Sequence, residues 1–279
     1  MSAKPNHEER MLYFEERNTE QSESIIFLHG GGGSHIEWKL VASQQSLAPY
    51  HLILVDLPMH SGSREISPFS LASAADEVYK VIQKKAHGAK AHVVGFSLGA
   101  FSALTLTARH PDAVLSTFAT GGYPYRGLFK WVMARPTAMW FVDSIQNIPG
   151  LTEMSFRKQG IDYEEWMAEA KKNKSPGRSR AVNKELSEYS MEHVKAVANS
   201  GVRTCVISGG KMDQTDAVQE MGVVLRDGGE KKGVKNEAVV VRSAYHPWHL
   251  QLPELFAAGV AAWAQDKDLP EEFETPNLP

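Results

Sequence analysis

Gly95-Phe96-Ser97-Leu98-Gly99 directly follows the apolar run Ala91-His92-Val93-Val94 and directly precedes a helix-like stretch from Ala100 to Arg109. A serine at a sharp strand-to-helix turn is held in a strained backbone conformation that lifts its hydroxyl above the sheet edge. Glycines two residues to either side let strand and helix approach each other. The helix that follows aims its first N–H groups at negative charge developing on a bound substrate. Such a turn displays Ser97 as a nucleophile. The plainer reading is a tight glycine-rich turn whose serine merely caps the helix, so the pentapeptide has to be weighed with the rest of the chain.

Three further segments bear on it. Leu28-His29-Gly30-Gly31-Gly32-Gly33-Ser34 ends another apolar run, and a glycine-rich stretch lets backbone N–H groups converge on an oxyanion without Cβ atoms in the way. A dinucleotide loop would need its third glycine at position 35 or 36, where His35 and Ile36 stand, so Asp56 loses its attraction as a ribose partner. A P-loop fails as well, because Gly210-Lys211-Met212 lacks the hydroxyl residue after the lysine. Ser208-Gly209-Gly210-Lys211-Met212-Asp213 ends a late apolar run in an aspartate, which is either a turn former or the acid that orients a histidine. Tyr245-His246-Pro247-Trp248-His249, after the last such run, supplies that histidine. As a metal pair, His246 and His249 lack a third ligand cluster and an H-E-x-x-H motif. The chain order Ser97, Asp213, His246 matches the Ser, acid, His order of one large fold family. Asp216 is the fallback acid, and His35, His51, His60 and His92 read as structural.

Groups so far apart in sequence meet only if strand ends bring them together. Short β-branched apolar runs alternate with longer helix-like stretches, which predicts an α/β fold with a mostly parallel central sheet and helices on both faces. The predicted strands are Ile25 to His29, His51 to Val55, Ala91 to Gly95, Val114 to Ala119, Arg203 to Ser208 and Ala238 to Arg242. A hairpin-type strand is expected near Met11 to Glu16. Leu71, Ala75, Val78 and Ile82 mark an amphipathic helix from Leu71 to Lys85, and Pro253-Glu254 opens a final helix through Val260 and Trp263. From about Tyr123 to Asn199 no strand pattern occurs, and the helix-like, aromatic character predicts an inserted cap. The expected division is therefore a core of residues 1–122 and 200–279 and a helical cap of 123–199. Trp131, Trp140 and Trp166 are candidate substrate-binding residues, because a cap over a sheet edge turns one face to the cavity; each ring has filling the cap's own core as its alternative. The tail from Asp266 reads as loosely ordered.

Net charge of −3 over 279 residues makes no electrostatic case for nucleic acid. The basic run Lys171-Lys172-Asn173-Lys174, with Arg178 and Arg180 beyond it, reads as a solvated helix end interrupted by Ser175-Pro176-Gly177. The single cysteine, Cys205, sits in an apolar run and reads as an inert buried thiol. Without a signal-like or membrane-spanning stretch, a cytoplasmic protein acting on a small molecule is expected, with no nucleic-acid or membrane partner.

In these residues the chain resembles the α/β-hydrolase fold superfamily, in its serine hydrolase branch. Val55-Asp56-Leu57-Pro58-Met59-His60-Ser61-Gly62-Ser63 is similar to that family's D-x-P-G-H-G-x-S loop. His246 precedes Pro253-Glu254-Leu255-Phe256 much as in the family's G-H-x-x-x-x-E-x-P-E-x-F. The resemblance implies Ser97 as nucleophile, His246 as general base, Asp213 as its acid, the N–H groups of Gly31 and Leu98 as oxyanion hole, and no metal or organic cofactor. Met59 and Ser61 depart from usual glycines, and so does Tyr245. The implied activity is hydrolysis of an ester, lactone or thioester of a small, largely apolar substrate through an acyl-enzyme. Two alternatives stand beside it: a carbon–carbon bond hydrolase, lyase or cyclase on the same triad, and a small-molecule receptor that keeps the fold.

Overall fold

The computed structural model describes residues 10–135, 151–161 and 163–276. Seven strands form its sheet: β1 (Phe14–Arg17), β2 (Ser24–Leu28), β3 (His51–Val55), β4 (Ala91–Phe96), β5 (Val114–Thr120), β6 (Thr204–Gly209) and β7 (Glu237–Val241). Their order is β1-β3-β2-β4-β5-β6-β7, with β1 antiparallel to β3 and every other pairing parallel. Along β2, Ile26 and Leu28 enter one core while Ile25 and Phe27 enter the other, and β3 divides Ile53 and Val55 from Leu52 and Leu54 in the same way. A parallel strand covered on both faces has to be apolar on both, which is why these runs look uniformly apolar in sequence.

Among the described residues the longer helices are α1 (Leu71–Lys85), α2 (Leu98–Arg109), α3 (Gly127–Met133), α4 (Leu151–Lys158), α5 (Glu164–Lys172), α6 (Pro176–Glu188), α7 (Met191–Ala198), α8 (Thr215–Lys232) and α9 (Pro253–Ala264). Residues of α1, α2, α7 and α8 share one core with the sheet; α9, Trp38 and Trp248 build the other. Ser70 fixes the start of α1 with a capping box, accepting the Ser73 N–H at 3.0 Å. Between β5 and β6 the described residues form helices and no strand. The last of these, α7, packs on α2 and α8 within the helix layer of the core, although it lies inside the expected 123–199 insertion.

Two local expectations are corrected. The tail is packed rather than loose: Phe273 is 7% exposed and lies against Phe118 and Trp248, while Glu274 bridges to Val240. The basic run is not solvated throughout. Ser175 interrupts it by capping α6, with Pro176 in the first turn. That start turns the chain inward, and Asn173 and Arg178 end up 3% and 6% exposed. Cys205 is fully buried, and burial pushes its thiol pKa up. Among the described residues no helix is long and apolar enough to cross a membrane.

Candidate active site

Ser97 stands between β4 and α2 with φ +50° and ψ −115°, a conformation that costs a non-glycine residue roughly 1–3 kcal/mol. Its N–H is tied to the Thr120 carbonyl at 2.8 Å. The flanking glycines are there for space. A Cβ on Gly95 would lie 2.2 Å from the Gly99 oxygen, and one on Gly99 would lie 1.9 Å from the Leu28 oxygen. No side chain fits at either position, so β2, β4 and α2 close on one another only with glycine here.

Asp213 and His246 come from the turns after β6 and β7. The Asp213 carboxylate is 1% exposed, accepts His246 Nδ1–H at 2.5 Å and the Gly209 N–H at 2.7 Å, and takes a longer bond from the Tyr123 hydroxyl at 3.3 Å. With Nδ1 donating to Asp213, Nε2 is the imidazole's remaining acceptor. Burial lowers the His246 pKa, but the charge and hydrogen bond of Asp213, aided by Glu37, outweigh it and the net shift is upward. The imidazole lies over Phe96, at a ring separation of 4.8 Å, and against Gly121, where a Cβ would be 2.7 Å from Cε1. Phe96 and Thr120-Gly121 are the immediate neighbours of Ser97 along β4 and across to β5, so the ring is set beside the serine turn. Asp216 lies elsewhere: its side chain is 75% exposed and faces Arg126.

The glycine loop after β2 has its N–H groups allotted. Gly30 N–H goes to Glu37 Oε2 at 3.0 Å, Gly32 N–H to His60 Nε2 at 3.2 Å, and Gly33 N–H to the Gly30 carbonyl at 3.0 Å. Gly31 N–H has no partner among the described residues, and no atom lies within 4 Å of where its Cβ would be. Leu98, as the first residue of α2, likewise has no intrahelical acceptor for its N–H. His60 and His29 serve this loop as neutral rings, because each accepts a backbone N–H on Nε2, from Gly32 and Leu57. Burial lowers both pKa values. Asp56 is fully buried and accepts His35 N–H at 2.7 Å and Gly62 N–H at 2.9 Å. Burial works against its ionisation, but the His35 hydrogen bonds outweigh it and the net pKa is lowered.

The Alpha/beta hydrolase family profile matches residues 25–259 of the sequence. This chain belongs to the alpha/beta hydrolase family. An AB hydrolase superfamily protein of Gibberella zeae is 27% identical over 274 residues, covering 96% of this chain and 89% of that one. A pimeloyl-[acyl-carrier protein] methyl ester esterase of Neisseria meningitidis is 35% identical over 100 residues, which is 36% of each chain. Among solved structures, an esterase from Exiguobacterium antarcticum superposes with a TM-score of 0.71 at 16% identity, covering 91% of this chain and 95% of that one.

Two groups in this hydrolase have roles that the sequence does not reveal. Glu37 and His249 form a fully buried pair, Oε1 to Nε2 at 2.9 Å, with His249 ringed by Trp38 and Phe96. Glu37 thereby ties the glycine loop, through Gly30, to the segment that carries His246. The second group docks the helices after β5 onto the same loops. Met59 and Ser61, the two departures from glycine, both have positive φ, +66° and +39°. The Ser61 conformation is held by Asn173, which accepts its N–H at 2.9 Å, and by Glu169, which accepts its hydroxyl at 2.6 Å. Asn173 Nδ2 also donates to the Gly33 carbonyl at 2.9 Å. A serine at this position therefore supplies an anchor that glycine lacks.

The tryptophans are dispersed. Trp131 is 49% exposed with Arg135 over its ring, Trp140 falls outside the described residues, and Trp166 packs with Phe156, Ile161 and Leu250 in a small separate cluster.

Proposed function

We propose that this hydrolase cleaves a carboxylic ester of a small molecule through an acyl-enzyme on Ser97. His246 Nε2 takes the Ser97 proton as the oxygen attacks the ester carbonyl, and Asp213 stabilises the imidazolium that forms. The carbonyl oxygen becomes negative opposite the N–H groups of Gly31 and Leu98. Collapse breaks the bond to the alcohol, which leaves with the proton from His246. A water deprotonated by the same nitrogen then attacks the acyl carbon and frees the acid. The observation that carries this reading is the Asp213–His246 couple set against a serine at positive φ. The partial match to a methyl ester esterase supports it.

The test is Ser97→Ala with a 4-nitrophenyl ester and a fluorophosphonate label. Turnover is expected to fall by roughly four to six orders of magnitude, with labelling abolished. A folded variant that kept most of its turnover would remove Ser97 as the nucleophile.

A further inference from the structure

Arg178, in the first turn of α6, is 6% exposed, and among the described residues its guanidinium meets no carboxylate and donates no hydrogen bond. Among the described residues no acid offsets its burial, and burial together with the nearby positive charge of Arg64 lowers its pKa. A buried charge without a partner is costly, and structural arginines normally spend their donors on carbonyls or carboxylates. Position gives the unused donors a meaning. Nη2 lies 3.9 Å from where a Cβ on Gly32 would sit, and Gly32 is next to Gly31. The charge of Arg178 also bears on His60, the ring that holds the Gly32 N–H.

We propose that Arg178 binds a carboxylate of the substrate, so that the natural ester is an acidic molecule anchored beside the glycine loop. This deepens the ester-hydrolase reading and rests on it. A planar guanidinium with its donors free matches the two oxygens of a carboxylate as a fork. The other cation nearby, Arg64, already donates Nε to the Ser61 carbonyl at 3.2 Å, so the charge available suits a monoanion better than a phosphate dianion. The same docking that seals Asn173 and Glu169 onto the loop buries Arg178. An anion would therefore meet it in a partly desolvated place, where a charge-assisted hydrogen bond is strongest.

Three esters test this: mono-4-nitrophenyl glutarate, with the carboxylate on the acyl side; 4-acetoxybenzoate, with it on the leaving group; and neutral 4-nitrophenyl butyrate. The wild-type enzyme is expected to prefer one acidic ester over the neutral one in kcat/KM, and which one reports the side of the ester that faces Arg178. In Arg178→Gln that preference should fall roughly 10- to 100-fold. Calorimetry on the Ser97→Ala protein gives a readout without turnover: glutarate or 4-hydroxybenzoate should bind, and adding Arg178→Gln should weaken binding by a similar factor. Arg178→Met should not lower the unfolding temperature, since no partner among the described residues is lost. The proposal is overturned if neither acid binds, if sulfate binds as well as they do, or if Arg178→Gln leaves the preference intact. A lower unfolding temperature with unchanged acid affinity overturns it too, by showing a structural arginine. If no ester is turned over while acid binding still depends on Arg178, the ester reading fails and the carboxylate site stands.

Discussion

The turn that carries Ser97 and the helix end that carries Asn173 and Arg178 approach the same glycine loop, yet they are specified in opposite ways. The serine turn is set by what is missing. Gly95, Gly99 and Gly121 leave room that no Cβ could share, and backbone atoms of β2 and α2 or the His246 ring fill it. The helix end is set by what is present: the Asn173 amide and the Ser61 hydroxyl satisfy groups that burial would otherwise strand. The first kind of specification is local and compact. The second exists only once two distant segments have met.

The sharpest way to break this contrast is to change the acid without changing its shape. Asp213→Asn keeps the size of the side chain but removes the charge that stabilises the imidazolium and fixes its tautomer. A loss of about 10⁴-fold in kcat is expected, while Asp216→Asn stays within about twofold. Steady-state kinetics on both folded variants decide it; a larger loss at Asp216 would move the acid to the exposed site facing Arg126.

On the docking side the expected effect is smaller and falls on stability. Asn173→Ala strands the Ser61 N–H and the Gly33 carbonyl, both turned toward a side chain that is 3% exposed. Leaving such groups unpaired costs about 1–3 kcal/mol, read as a lower urea midpoint. A midpoint equal to that of the wild type would mean that the helix end does not hold the loop, and the contrast would collapse.

That difference also explains what could be read in advance. The parallel strands and the helix from Leu71 to Lys85 follow from short-range apolar patterning and glycine placement, which act within a few residues, and the fold family from the resemblance of its motifs; the hairpin expected at the first strand does not form, because β1 pairs with β3 and not with β2. Arg178 and Asn173 look like ordinary surface residues, because a basic, hydrophilic run is indistinguishable from a solvated helix end until its burial partners are known. Glu37 is similar. Nothing in Ser34-His35-Ile36-Glu37 marks a carboxylate that will be sealed against His249, 212 residues away. The substitution of serine for glycine at position 61 was visible, but its meaning depended on Glu169 and Asn173 lying opposite.

The smallest effect concerns the charge that joins the two regions. The proposed mechanism uses neutral His246 as the base, so kcat/KM for a neutral ester should rise with pH along a limb centred on the imidazole pKa. Burial by itself would place that centre below 6.5. The carboxylates of Asp213 and Glu37 favour the imidazolium, and the pKa is raised. The limb is therefore expected to lie higher in pH than burial alone would set it. Glu37→Gln removes the weaker of the two charges, so the limb should move to lower pH, while Asp213 keeps it from falling further. The amide can be accommodated: it can accept the Gly30 N–H through oxygen and donate to His249 Nε2, with the His249 proton moved to Nδ1, which has no partner among the described residues. A limb unchanged in this variant would mean that Glu37 acts on the loop through its hydrogen bonds alone. A wild-type limb centred below 6.5 would go further, since burial would then outweigh the Asp213 couple at His246.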